Sequence, residues 1–285
     1  MQIINVAVIG AGTMGAGIAQ VSAQHGYSVC LQDVSTEVLE KARKGIEKSL
    51  QKGVDKNKLS QADKDGALER IKTTKDLPEA VNEADLVIEA VFEDLDLKKK
   101  IFQQIDENAP GKALIASNTS ALPITSMGGV TGRPQQVLGL HFMNPVPLMK
   151  GVEVIPGLDT SEEVMEAGLQ FAKNLGKDPV KAVDYGGFIV TRILDAMLNE
   201  AVYCVMDGND PAEVDKAMKI CTNFPMGPCE LIDLAGVDVV YRGLDTLGRE
   251  FGGRFHIAPL LQKMVRAGHL GRKTGRGFYD YSSEK

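Results

Sequence analysis

The sequence predicts an α/β domain with a mostly parallel sheet, followed by an all-helical domain, and three observations predict it. Short, continuous apolar runs alternate with helix-forming stretches through the first part of the chain, as strands buried on both faces require. A glycine-rich turn joins the first such run to the first helix. After Gly186 and Gly187 the strand signals stop and only helical patterns follow.

Residues 3–9 form the first expected strand, and residues 14–25 the first helix, with Gly26 at its C-terminal cap. Residues 28–32 form the second strand, and 36–52 a helix rich in Lys and Glu. The polar stretch 53–70 is expected to be irregular with a helical excursion. Buried strands follow at 86–89, 113–117 and 137–141, with a helix at 98–108 between the first two, and a further strand at 152–156. Such βαβ alternation implies helices covering a parallel sheet. Beyond the glycine pair, residues 188–207 read as one long helix that is apolar on more than one face, so its own domain or a second copy of the chain must cover it. Shorter helices are expected at 211–220, 229–235, 237–247 and 259–267. The boundary falls near residue 185, giving domains 1–185 and 186–285.

Length and composition agree with this organisation. A chain of 285 residues exceeds one ordinary core. With 44% hydrophobic and 25% charged residues it has the balance of a soluble globular protein. A net charge of −6 argues against a general nucleic-acid binder. No apolar run reaches the roughly 20 residues that span a bilayer, so no membrane partner is expected. The start, MQIINVAVIGAG, lacks a basic leader region and reads as mature structure. Cys30, Cys204, Cys221 and Cys229 form no C-x-x-C pair, which suits free thiols in a cytoplasmic protein, and no metal site is expected.

Four clusters carry candidate chemistry. Gly10-Ala11-Gly12-Thr13-Met14-Gly15 follows a strand and opens a helix. Gly10 permits the tight turn, Gly12 lets a pyrophosphate approach the helix N-terminus, and Gly15 lets the helix pack closely on the strand. Asp33 closes the second strand 18 residues after Gly15, where a carboxylate can accept both ribose hydroxyls and repel a 2′-phosphate. The first domain is therefore expected to be a Rossmann-like dinucleotide-binding domain that takes NAD. A structural glycine turn or an FAD site is the alternative. In the second cluster, His141 ends a strand, where ligands bind in parallel sheets, and imidazole exchanges protons near neutral pH. Glu153, 12 residues on, can hold one ring nitrogen if its strand lies beside that of His141. The third cluster, Ser117-Asn118-Thr119-Ser120, offers hydroxyl and amide groups at a strand end, or simply a helix cap or Asx turn. The fourth, Lys52, Lys56 and Lys58 near Ser49, could meet phosphates or be a solvated face, and Lys98-Lys99-Lys100 carries the same ambiguity.

Taken with GAGTMGAG at 10–17 and SNTS at 117–120, the motifs HFMNPVP at 141–147, NFPMGP at 223–228 and RKTGRGFY at 272–279 make the chain resemble the short-chain L-3-hydroxyacyl-CoA dehydrogenase family, which includes bacterial 3-hydroxybutyryl-CoA dehydrogenases. The resemblance implies a homodimeric oxidoreductase that interconverts 3-hydroxyacyl-CoA and 3-ketoacyl-CoA with NAD, in fatty acid and butanoate metabolism. It implies His141 as general acid/base, Glu153 as its partner, and Ser120 and Asn144 beside the reacting oxygen and the nicotinamide. Glu93, Lys98 and Lys273 fall where the family contacts NAD, and Ser49 and Lys56 where it contacts CoA. Thr191 stands where the family usually has an Asn that borders the active site, and Gly186 where it has Pro. Two alternatives remain at this level: an NAD-dependent dehydrogenase of a free hydroxy or sugar acid of the L-gulonate type, and a non-catalytic NAD-binding protein.

Overall fold

β1 (Asn5–Ile9) has Val6 to Ile9 fully buried, and every later strand of the sheet centre repeats that pattern. The computed structural model describes residues 2–282 and divides into two compact units, Met1–Asp184 and Tyr185–Lys285. In the first unit β1 leads through the glycine turn into α1 (Thr13–Gln24), then β2 (Ser28–Gln32) and α2 (Thr36–Asp55). The Ser35 hydroxyl accepts from the Val38 N–H and starts α2, and Leu39, Ala42, Ile46 and Leu50 make its buried stripe. Each of the three large side chains adds about 1.5–3 kcal/mol by leaving water.

The polar stretch 53–70 is more regular than its composition suggests. α2 continues to Asp55, and Ser60 and Asp63 form a reciprocal capping box that opens α3 (Gln61–Glu69). β3 (Ile71–Thr74) and α4 (Leu77–Val81) follow, then β4 (Leu86–Glu89), α5 (Leu95–Asn108), β5 (Leu114–Ser117), α6 (Ile124–Gly128), β6 (Val137–Phe142), β7 (Gly151–Pro156), α7 (Glu162–Asn174) and β8 (Asp178–Lys181).

The strands make one sheet in the order β3-β2-β1-β4-β5-β6-β7-β8. All neighbours are parallel except β6 and β7, which run antiparallel with His141 paired to Glu153. The strand order reverses between β1 and β4. A doubly wound sheet opens a crevice for its ligand at that switch, beyond the carboxyl ends of the strands.

The second unit is helical, as expected from its sequence: α8 (Val190–Met206), α9 (Pro211–Thr222), α10 (Pro228–Ala235), α11 (Val237–Phe251) and α12 (Pro259–Arg266). Leu198 and Val202 of α8 meet Ile232, Val240, Leu244, Leu247 and Leu261 in its core. α8 buries one face, while Ile193 stays exposed on the other. The four cysteines are free thiols. Among the described residues no helix is long and apolar enough to cross a membrane.

Candidate active site

The turn after β1 fits a dinucleotide on three counts. Gly10 sits at φ +99°, and a Cβ there would stand 2.6 Å from the Ala90 carbonyl oxygen, so only glycine is accommodated. A Cβ on Gly15 would lie 1.7 Å from the Gly10 oxygen, which is how closely α1 packs on the turn. Gly12 is different: a Cβ there would meet nothing within 4 Å. Gly12 is also the N-cap of α1, with no side-chain cap and no acidic residue in the first turn. The positive end of the helix is thus left to a ligand's anion.

Asp33 stands at the end of β2, half-buried. Its Oδ2 accepts from the Ala11 N–H at 2.9 Å and its Oδ1 from the Ser35 N–H at 3.0 Å. The carboxylate therefore fastens the glycine turn to β2, and each oxygen keeps a further lone pair for a ribose hydroxyl.

Across β6 and β7, His141 Nδ1 lies 2.7 Å from Glu153 Oε2. Both residues are buried, at 5% and 2% exposure. With Nδ1–H donating to the carboxylate, the neutral ring carries its lone pair on Nε2. The antiparallel register that pairs these two positions is what brings them together.

Two anchors fix the segments flanking this pair. Asn118 Oδ1 accepts from the Phe142 N–H at 3.0 Å, joining the end of β5 to the end of β6. Lys177 Nζ donates to the carbonyls of Val146 and Met149 at 2.6 and 2.7 Å, holding the loop that carries the exposed Asn144. Burial lowers the Lys177 ammonium from its ordinary range. Val146 of the same loop seats on Gly17 of α1, where a Cβ would be 2.9 Å from it.

The segment 117–120 makes the turn that was one of its two readings. Ser117 and Thr119 make the turn: Ser117 Oγ accepts from the Thr119 N–H, and Thr119 Oγ1 from the Leu122 N–H. Ser120 is half-buried, and its N–H donates to Glu93 Oε1 at 2.9 Å. Glu93 Oε1 also accepts from the Thr119 hydroxyl, and Glu93 Oε2 faces Lys98 Nζ at 3.3 Å. Lys98 itself is 1% exposed and pairs with Glu89 Oε1 at 2.6 Å. The structure brings Glu93, Lys98 and Ser120 together, with Lys98 beneath the other two. Glu89 and Lys177, which hold these groups and the Asn144 loop in place, were not singled out by the sequence motifs.

Ser49 and Lys56 lie two turns apart on α2, Ser49 half-buried and Lys56 exposed at its C-terminal cap. In the second unit Thr191 occupies the first turn of α8 and is half-buried, and Lys273 forms an ion pair with Asp238. The segment around Lys273 is clamped by two buried aspartates. Asp233 accepts from the Phe278 and Tyr279 N–H groups, both at 3.0 Å, and Asp215 from the Tyr279 hydroxyl at 2.6 Å. Burial, together with the nearby Asp215, pushes the Cys229 thiol far up, which leaves it unreactive as a nucleophile.

Comparison with known proteins agrees with this geometry over the whole chain. Residues 5–185 match the family model described as the 3-hydroxyacyl-CoA dehydrogenase NAD binding domain, and residues 187–281 that of the 3-hydroxyacyl-CoA dehydrogenase C-terminal domain. A probable 3-hydroxybutyryl-CoA dehydrogenase of Bacillus subtilis is 43% identical over 286 residues, covering 100% of this chain and 99% of that protein. The crystal structure of Mycobacterium tuberculosis FadB2 superposes with a TM-score of 0.95 at 40% identity, over 99% of this chain and 100% of that one. The (S)-3-hydroxybutyryl-CoA dehydrogenase PaaH1 of Ralstonia eutropha superposes with a TM-score of 0.93 at 42% identity, over 98% and 99%. With its glycine turn, its paired histidine and glutamate and its helical second unit, the chain belongs to the 3-hydroxyacyl-CoA dehydrogenase family of NAD-dependent oxidoreductases.

Proposed function

We propose that this enzyme interconverts 3-hydroxybutyryl-CoA, or a similarly short 3-hydroxyacyl-CoA, with its 3-keto counterpart, and that the buried His141–Glu153 pair carries the proton. The 2.7 Å contact between these side chains is the observation on which the reading rests. The names of the relatives supply the substrate class. Bound NAD supplies the hydride acceptor for oxidation and, once reduced, the hydride donor for reduction.

The chain's own residues do the rest. In oxidation His141 Nε2 takes the proton of the 3-hydroxyl, and Glu153 stabilises the imidazolium that results. In reduction the same nitrogen returns the proton to the forming hydroxyl. Ser120 and Asn144 hydrogen-bond the reacting oxygen and the nicotinamide amide. The N-terminus of α1 at Gly10, Gly12 and Gly15 holds the pyrophosphate, and Asp33 holds the adenosine ribose. Glu93, Lys98 and Lys273 support the cofactor, Ser49 and Lys56 bind the CoA moiety, and Thr191 borders the acyl chain. Binding of the remote CoA positions the reacting carbon. The exposed apolar side chains of the helical unit, Ile193 among them, suit a homodimer formed through that unit, and the free thiols suit the cytoplasm.

The test is acetoacetyl-CoA-dependent oxidation of NADH by single and double variants. General acid–base assistance is worth about 10²–10⁴ in rate, so His141→Gln should lower kcat by about that factor with NADH binding near normal. Glu153→Gln should also lower kcat, and because the two act as one unit the double variant should be little slower than His141→Gln. Near-normal turnover of His141→Gln would remove the mechanism. Better turnover of free 3-keto acids than of thioesters would favour the free-acid dehydrogenase instead.

A further inference from the structure

The loop carrying Ser120 stands on a buried charge cluster whose central carboxylate has no part in the mechanism above. Glu89 ends β4 in register with Ser117 at the end of β5, and neither is accessible to solvent. Glu89 Oε1 accepts from Lys98 Nζ and from the Val91 N–H, both at 2.6 Å. Glu89 Oε2 accepts from the Ser117 hydroxyl at 2.6 Å. From this carboxylate two hydrogen-bonded paths lead outward. One passes through Ser117 Oγ to the Thr119 N–H at 3.1 Å. The other passes through Lys98 and Glu93 to the Ser120 N–H. Both end on consecutive amides, one of them that of Ser120 itself.

Such a cluster is a poor source of stability, because two buried charges lose about as much solvation as their attraction returns. What it supplies is direction. A carboxylate with three donors at 2.6 Å has its plane fixed, and so do the groups that lean on it. Displacement of a reacting group by about 1 Å can cost 10²-fold in rate, so a rigid support under a substrate-contacting hydroxyl has a kinetic consequence.

We propose that Glu89 is a positioning residue for the reaction: through Ser117 and Lys98 it fixes the backbone from which the Ser120 hydroxyl meets the substrate oxygen. The proposal rests on the role given above to Ser120.

Ser117→Ala is the primary variant, because it breaks one path and keeps the Glu89–Lys98 ion pair that a Glu89 variant would disturb. It is compared with Ser120→Ala and with the double variant, using kcat for acetoacetyl-CoA reduction and NADH affinity by fluorescence titration. Loss of a hydrogen bond aimed at the reacting oxygen typically costs about 10²–10³ in kcat, which is the fall expected for Ser120→Ala. Ser117→Ala should lower kcat about tenfold by misplacing that hydroxyl, with NADH affinity unchanged. The double variant should be no slower than Ser120→Ala, since a hydroxyl that is absent cannot be misplaced. Glu89→Gln should show the same non-additivity with Ser120→Ala. Losses that multiply, or an unchanged kcat in Ser117→Ala, overturn the positioning role while leaving Ser120 its own. An unchanged kcat in Ser120→Ala overturns the role of Ser120, and the positioning proposal with it.

Discussion

Asp195 makes the helical unit's stability depend on pH in a direction opposite to that of most carboxylates. It lies in α8 at 7% exposure, turned onto Gly243 of α11, where a Cβ would stand 2.2 Å from Asp195 Oδ2. Burial raises its carboxyl from the ordinary 3.8 to about 7. Well below pH 3.8 the group is protonated whether the chain is folded or not, and its contribution is fully present. As pH rises the unfolded chain ionises first, and stability is lost until the folded carboxyl ionises near pH 7. At 1.36 kcal/mol per pH unit, the loss is about 1.7 kcal/mol at pH 5 and about 4 kcal/mol by pH 8. Asp195→Asn keeps the shape and removes the titration. Urea unfolding followed by circular dichroism at pH 5, 6, 7 and 8 should therefore show the advantage of this variant over the parent growing by about 2.5 kcal/mol across that range. A stability difference that does not change with pH would refute the reasoning.

Two further sets of variants separate fold from binding. Gly12→Ala should melt like the parent, because a Cβ there meets nothing, yet raise the KM for NADH at least about tenfold by standing where the pyrophosphate approaches; Gly15→Ala, facing a backbone oxygen at 1.7 Å, should instead lose stability, as a thermal melt will show. Lys56→Glu should raise the KM for acetoacetyl-CoA several-fold, by about the reversal of one exposed charge, and leave that for NADH alone; if neither constant moves, the lysine is only part of a solvated face.

The centre of the sheet was legible because its strands are buried on both faces and so read as continuous apolar runs: β1, β4, β5 and β6 all lie where the sequence places them to within two residues. The edges were not. β3 (IKTT) and β8 (DPVK) carry polar, exposed residues with no apolar run, and they are strands because β2 and β7 offer parallel partners. α4 has five residues, the second of them a proline, too few for a period to show. α7 was readable in principle, since the Ser161 hydroxyl accepts from the Val164 N–H and Glu162 and Glu163 stand in its first turn.

The candidate site divides the same way, and Lys98 shows why. Local motifs reveal groups whose job is fixed by their immediate neighbours, such as Gly10, Gly12 and Gly15, and a register argument suffices for Glu153 opposite His141. Supporting groups act across the fold: Glu89 reaches a helix nine positions on and a strand 28 positions on. In the run Lys98-Lys99-Lys100 composition leaves a phosphate site and a solvated face both open, yet the first lysine is buried, the second half-buried and the third exposed. The distinguishing signal is the spacing. Lys98, Phe102 and Ile105 fall at i, i+4 and i+7, and these three are the buried residues of α5. A lysine on the apolar stripe of a helix must meet a carboxylate or a carbonyl, because an unpaired buried ammonium is too costly to keep. That requirement points from Lys98 back to Glu89, which ends the preceding strand, and to Glu93 in the loop that follows it. A charged residue out of phase with its own surface is thus the mark by which buried supports of this kind can be found in sequence.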